Sequence, residues 1–268
     1  MSAPIERLLT IMSQLRDPQS GCPWDKAQTY DTIAPYTLEE TYEVLDAIAR
    51  ADFDDLKGEL GDLLFQVVFY AQIAQEEGRF DFSDIVNAVS DKLTRRHPHI
   101  FAKEQGISAD AAISGWEQRK SKERAEKAQY SLLDDIPVNL PALMRAYKIQ
   151  KRCATVGFDW DTLAPVLGKV YEELDEVMEE VNQPQVSDER VAEELGDLLF
   201  AVVNFSRHLG HKPEMVLHKA CRKFEARFRQ VETQIAEQGL TMESATLADM
   251  EKSWQDVKSR EVELNAFS

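Results

Sequence analysis

The chain has 268 residues and a formal net charge of -17, long enough for two ordinary domains with a substantial core. That charge argues against a nucleic-acid polymer or an anionic membrane as the main partner, while a nucleotide stays admissible because bound metal reverses the local sign. The three cysteines, Cys22, Cys153 and Cys221, are widely spaced with no C-x-x-C, which suits a reducing cytosol and no structural zinc. The N-terminus has no signal-peptide apolar stretch, so a cytoplasmic location is expected. The most apolar run, Leu63 to Ala74, is too short to span a bilayer and contains Gln66 and Gln72, so it reads as a buried core helix and no membrane partner is expected.

In chain order, Ile5, Leu8, Leu9, Met12 and Leu15 follow helical spacing. Asp17-Pro18 ends that helix and Gly21-Cys22-Pro23-Trp24-Asp25 reads as a loop. Helices are predicted over about Thr37 to Arg50 and Phe53 to Glu77, the second stopped by Gly78. A shorter one covers about Ser83 to Arg96 and breaks at His97-Pro98-His99; another begins near Ser108 and carries Trp116. Arg119 to Lys127 is densely charged, and Ser131 to Pro141, with two prolines, reads as a linker. The expected boundary therefore separates residues 1–130 from residues 131–268.

The second half repeats the order. Helices are predicted from Pro141 to about Cys153, over Thr162 to Val181, Asp188 to Leu209 and Pro213 to Glu237, and after the capping box Thr246-x-x-Asp249. Gly157-Phe158-Asp159-Trp160-Asp161 stands where Gly21 to Asp25 stood, and Trp254 with Lys258 matches Trp116 with Lys120. No stretch shows sustained strand alternation. The fold predicted is all-α: two tandem helical domains from an internal duplication.

Both halves read E-E-x-x-E, a gap, then E-L-G-D-L-L-F. In the second, Glu173 and Glu176 lie three apart on one helix face, and Glu194 and Asp197 do the same on the next. In the first the matching acids are Glu40, Glu43, Glu59 and Asp62. A single E-x-x-E is usually a solvated helix face. Here it comes twice, its second part sits inside an apolar run, and Gly61 or Gly196 lies between the acids at a mid-helix cost of about 1 kcal/mol. Close approach of backbone or ligand is a reason to keep such a glycine. Four carboxylates converging from two antiparallel helices repel unless neutralised, and the fitting neutraliser is a hard cation with oxygen ligands, Mg²⁺ or Mn²⁺.

Lys223 and Arg227, four apart, are either a salt-bridged surface face or a phosphate clamp; Lys92 and Arg96 match them in the first half. Lys169 precedes Glu173 by one turn and either pairs with it or reaches a phosphate. Trp254 is either core or a stacking platform for a base. His97, His99, His208, His211 and His218 read as surface or capping residues. No glycine-rich phosphate loop is present, so any triphosphate must be held by metal and side chains.

On these residues the chain closely resembles the MazG family of nucleoside triphosphate pyrophosphohydrolases in its tandem two-domain form. The resemblance implies a Mg²⁺-dependent enzyme that cuts between the α- and β-phosphates, and homodimers built from helical bundles. By motif position it implies metal ligands at Glu173, Glu176, Glu194 and Asp197. Nucleotide contacts are implied at Lys169, the Arg190 to Glu193 stretch, Lys223, Arg227 and Trp254. Glu172 and Glu193, each beside a ligand in sequence, are candidates to position the attacking water. The halves differ: Tyr36 replaces Lys169, Asp55 replaces Arg190 and Gly58 replaces Glu193. The second half is therefore expected to work and the first to be weak, inactive or structural. Two rivals remain open from the residues alone. One is a non-enzymatic helical adaptor. The other is a di-iron bundle, which is disfavoured because the i+3 partners are Glu and Asp, not His.

Overall fold

A computed structural model describes residues 4–101 and 131–266 of the chain. Eleven helices and no strand occur among the described residues. Contacts divide the chain into two compact units, residues 1–123 and 124–268. The helix expected near Ser108 with Trp116, and the charged stretch Arg119 to Lys127, lie outside the described residues.

The first unit contains α1 (Pro4–Leu15), α2 (Pro23–Ala27), α3 (Tyr30–Arg50), α4 (Phe53–Glu76), α5 (Phe82–Arg96) and the short α6 (Pro98–Phe101). Helices α3 and α4 form a hairpin whose turn puts Ala51 in the left-handed region (φ 55), and Asp52 caps α4 by accepting from the Asp55 amide at 3.1 Å. Helix α3 starts at Tyr30, not near Thr37 as expected. Thr29 and Thr32 cap it reciprocally, and that start outweighs Pro35, which removes only one backbone donor inside the helix. Gly78 (φ 68) ends α4 as expected. Met12, Ile33, Val68, Phe69 and Ile73, from α1, α3 and α4, make the core.

Arg16 fastens the segment between α1 and α3. Its side chain is buried, donates to both Glu76 carboxylate oxygens, and also to the carbonyls of Asp25 (2.5 Å) and Gln28 (3.2 Å). Those carbonyls belong to the middle and the C-terminal cap of α2, a turn of helix started by Pro23 where the sequence suggested only loop.

The second unit contains α7 (Ala142–Ala154), α8 (Leu163–Val181), α9 (Asp188–His208), α10 (Pro213–Glu237) and α11 (Leu247–Ala266). Helices α8 and α9 repeat the hairpin of α3 and α4, and α7 packs on α9 and α10. Helices α10 and α11 pair around Val231, Ile235 and Val257. Thr246 and Asp249 cap α11 through the predicted box, with Thr246 N donating to Asp249 Oδ2 at 3.0 Å and Asp249 N to Thr246 Oγ1 at 3.2 Å.

The mid-helix glycines do not mark a close approach within the chain: a Cβ at Gly61 or Gly196 would meet nothing within 4 Å. No helix of the described residues is long and apolar enough to cross a membrane.

Candidate active site

Each hairpin turns its acids towards one another because both carry them at i and i+3 on facing helices. In the second unit, carboxylate oxygens of Glu173, Glu194 and Asp197 all lie within 4.8 Å of one another. Glu173 is buried, Glu194 half-buried and Asp197 exposed, so the group opens to solvent on one side. Glu176 stands just outside this tight trio yet belongs to the same electrostatic group. Burial, the Glu173 charge, the Glu194 charge and a hydrogen bond with Glu173 push its carboxyl above the ordinary value, and Lys169 opposes them. The first unit gathers Glu40, Glu43 and Glu59 within the same 4.8 Å. Burial, Asp62, Glu43 and Glu59 raise Glu40, and burial, Glu43, Asp55 and Asp62 raise Glu59.

These shifts give a stability prediction. A carboxyl raised on folding binds more protons folded than unfolded, so its contribution to stability falls as pH rises through that window. Glu176→Gln removes the repulsion. In metal-free buffer the variant should melt higher than wild type at pH 7, and the difference should vanish near pH 4, where the wild-type carboxyl is protonated in both states. Scanning calorimetry at the two pH values checks it.

An ion fits this donor set. The ligating atoms are all carboxylate oxygens, which select a hard divalent cation, and their mutual repulsion is what such a cation relieves. Lys169 occupies part of that role here: its Nζ lies 2.8 Å from Glu172 Oε1 and 2.6 Å from Glu173 Oε1. The hydrogen bonds to Glu172 and then Glu173 hold the ammonium well above its usual value, so it is fully charged. Glu193, beside Glu194 on α9, is exposed.

The remaining basic candidates lie elsewhere in the second unit. Arg190 Nη2 donates to Glu180 Oε1 at 2.5 Å, closing the α8–α9 corner over a buried carboxylate. The first unit closes its corner the other way round: Arg50 bonds Asp46, Asp52 and Asp55. Asp55 in place of Arg190 is therefore accounted for by a local ion pair of reversed order. The contrast between the halves that bears on a phosphate reduces to Lys169 against Tyr36. Arg227 donates to Glu261 at 2.9 and 2.7 Å and lies 5.8 Å from the Trp254 ring centre. With Lys223 it pulls Glu261 below the usual range. Trp254 packs on Val231, Ile235 and Val257 and lies 5.1 Å from Phe224, ring centre to ring centre. Lys223, Arg227 and Trp254 thus form one group on the α10–α11 pair, and Arg227 is bonded to Glu261 of that pair, not to Glu173, Glu194 or Asp197.

Two features were not singled out from the sequence. A cavity of about 320 Å³ adjoins the acids: Lys169, Glu173 and Asp197 line it together with Gln150, Trp160 and Phe200. Its signal was a glutamine beside Ile149 on the core-facing side of α7. The second is a clamp on the loop before α8. Asp159 accepts from Arg207 Nη2 at 2.6 Å and lies 2.8 Å from His208 Nε2. Burial pushes the Asp159 carboxyl up, but the bonds from Arg207, His208 and the Trp160 amide hold it below its usual value. His208, expected at the surface or as a cap, is largely enclosed in this clamp.

The chain matches the model of the MazG nucleotide pyrophosphohydrolase domain twice, over residues 28–101 and 162–232. The two matches contain the α3–α4 and α8–α9 hairpins with the acids Glu40, Glu43, Glu59 and Asp62 and the acids Glu173, Glu176, Glu194 and Asp197. It is 66% identical over 260 residues to the nucleoside triphosphate pyrophosphohydrolase of Escherichia coli K12, covering 97% of this chain and 99% of that one. It is 42% identical over 253 residues to the Thermotoga maritima nucleoside triphosphate pyrophosphohydrolase/pyrophosphatase MazG, covering 94% and 95%. A crystal structure of a mazG-related protein from Thermotoga maritima aligns with 43% of this chain and 98% of its own at 32% identity, with a TM-score of 0.38. Two matched domains and near-complete alignment with these relatives place the chain in the MazG nucleotide pyrophosphohydrolase family.

Proposed function

We propose that this chain hydrolyses nucleoside triphosphates, ribo- and deoxy-, between the α- and β-phosphates, giving a nucleoside monophosphate and pyrophosphate, with loose base selectivity. The single observation that carries the reading is the trio Glu173, Glu194 and Asp197, with oxygens within 4.8 Å on a hairpin that the family model matches. Relatives 66% and 42% identical to this chain are named nucleoside triphosphate pyrophosphohydrolases.

In this reading Glu173, Glu194, Asp197 and Glu176 hold Mg²⁺, with Mn²⁺ as a substitute. The ion supplies charge neutralisation on the phosphate oxygens as negative charge develops there. The residues of the chain do the rest. Glu172 and Glu193, each adjacent to a ligand, accept a hydrogen bond from the attacking water and orient it. Lys169 is placed to leave Glu173 for a phosphate oxygen when the cation arrives, and so neutralises part of the leaving pyrophosphate. Lys223, Arg227 and Trp254 are proposed to meet the nucleotide from α10 and α11; Arg190 contributes by holding the α8–α9 corner closed.

The chain is further proposed to work as a homodimer. On α8, Tyr171, Leu174, Met178 and Val181 are all exposed at helical spacing; on α9, Leu195, Leu199 and Val202 are too. Each helix of the hairpin that carries the acids thus leaves an apolar stripe exposed, and a second copy covers these stripes in the manner of a helical bundle. Multi-angle light scattering at micromolar concentration should give twice the chain mass; a monomer contradicts it.

Incubation of the full chain with dATP or dGTP and Mg²⁺, followed by chromatography, tests the activity. Monophosphate and pyrophosphate in equal amounts are expected. No turnover would leave the adaptor reading, and diphosphate with orthophosphate would place the cut at the other anhydride.

A further inference from the structure

The cavity beside the acids contains a thiol. Cys153 stands on α7 three residues after Gln150, and both line that cavity with Lys169, Glu173 and Asp197. The thiol is free and half-buried. Of the other cysteines, Cys22 belongs to the first unit and Cys221 is exposed on α10. The cavity, about 320 Å³, gives a small reagent a way to the Cys153 sulfur.

Gln150 presents an unpaired acceptor there. It is 8% exposed, and its Nε2 donates to the Phe200 carbonyl at 2.8 Å. A carbonyl only accepts, so this bond fixes which end of the amide is which. Its Oε1 is buried and has no hydrogen-bond partner among the described residues. A buried, unpaired amide oxygen is costly and calls for a donor. Residues three apart share a helix face, and helical side chains lean over the turn towards the N-terminus. The Cys153 sulfur therefore leans towards Gln150. A thiol is a weak donor, whereas a hydroxyl on that sulfur is a good one.

We infer that Cys153 is a redox site: a peroxide oxidises it to a sulfenic acid, whose O–H donates to Gln150 Oε1. The thiolate sulfur attacks one peroxide oxygen, so an S–O bond forms and the O–O bond breaks. Sulfur gives two electrons to the peroxide, and the departing hydroxide takes up the thiol proton and leaves as water. The bond to Oε1 holds the sulfenic acid and slows its further oxidation to sulfinic acid. The added oxygen lies in the cavity that Lys169 borders, and as an acceptor it rivals phosphate for the ammonium. Oxidation therefore slows pyrophosphate release; that consequence rests on the hydrolysis reading above. The first unit has no such thiol. Asp17 stands at the matching position and accepts from the Gln19 and Ser20 amides at 3.0 and 2.7 Å.

The test uses the full chain with Cys22→Ser and Cys221→Ser, which leaves Cys153 as its only thiol. Hydrogen peroxide followed by dimedone should place an adduct on the Cys153 peptide, read by mass spectrometry. Pyrophosphate release from dATP after peroxide should fall about tenfold and return with dithiothreitol. The chain that also carries Cys153→Ala should form no adduct and keep its rate through the same treatment. With Gln150→Leu the sulfenic acid should pass to sulfinic acid about tenfold faster, for one net hydrogen bond lost, and dithiothreitol should no longer restore the rate. Gln150→Met, closer in shape, serves as a second variant if the leucine chain fails to fold. The inference is overturned by no adduct on Cys153, by oxidation that leaves the rate unchanged, by an equal loss of rate in the Cys153→Ala chain, or by a sulfenic acid equally long-lived without Gln150. Trapping needs no substrate, so a chain that forms the adduct yet releases no pyrophosphate even before peroxide would remove the hydrolysis reading instead.

Discussion

Asp197→Asn should lower pyrophosphate release from dATP at saturating Mg²⁺ by at least about a hundredfold, with the helical circular dichroism signal unchanged. The substitution keeps the shape and removes one of three charges whose oxygens lie within 4.8 Å. Asp197 is exposed, so no core contact is lost and the fold has no reason to change. Losing one anionic ligand weakens ion binding and the transition-state stabilisation the ion supplies, which is worth several kcal/mol; about 3 kcal/mol already exceeds a hundredfold in rate. The apo variant should melt no lower than wild type, because the trio loses repulsion. Steady-state release of pyrophosphate and a thermal scan read the two effects. An Asn variant within a few-fold of wild type would remove Asp197 from the ligand set.

Lys169→Met should separate two effects that pull in opposite directions. In the structure the ammonium sits on Glu172 and Glu173, so it competes with any cation for those oxygens. Removing it should tighten Mg²⁺ binding, measured by calorimetry. In turnover the same charge is needed on phosphate. A unit charge about 4 Å away is worth on the order of 4 kcal/mol near a protein surface before desolvation. If half survives, kcat falls roughly thirtyfold. Lys169→Arg should recover part of kcat because it retains the charge. A loss of turnover together with weaker Mg²⁺ binding would mean that Lys169 acts only by ordering Glu173.

Much of the fold could be read from the sequence because the signals were local and came twice. Gly78, Pro213 and the Thr246-x-x-Asp249 box fixed helix ends to within a residue. Thr29 was missed as a cap although Thr29 and Thr32 bond reciprocally there, and Pro35 inside the helix removes only one backbone donor. The acids were legible because i and i+3 spacing specifies a face. The partners of long side chains were not, because an arginine reaches several ångströms and its partner is chosen by tertiary geometry. Arg190 on Glu180 and Arg227 on Glu261 show this. Gln150 gave only half a signal, for a related reason. A single polar residue on an apolar helix face says that something must satisfy it, and only the packing of α7 on α9 shows that half of the amide is met by Phe200 and half is not.

The central claim is that the second unit does the work although both units gather acids. Its support is the Lys169 ammonium on the second trio, where the first unit has Tyr36 packed on Trp24. The most direct measurement is an exchange in the full chain: the rate of pyrophosphate release from dATP by Glu43→Ala and by Glu176→Ala under the same Mg²⁺ concentration. Glu43→Ala should keep most of the wild-type rate and Glu176→Ala almost none. Equal losses in the two variants would contradict the claim, since the first unit would then either turn over substrate itself or be coupled to the second.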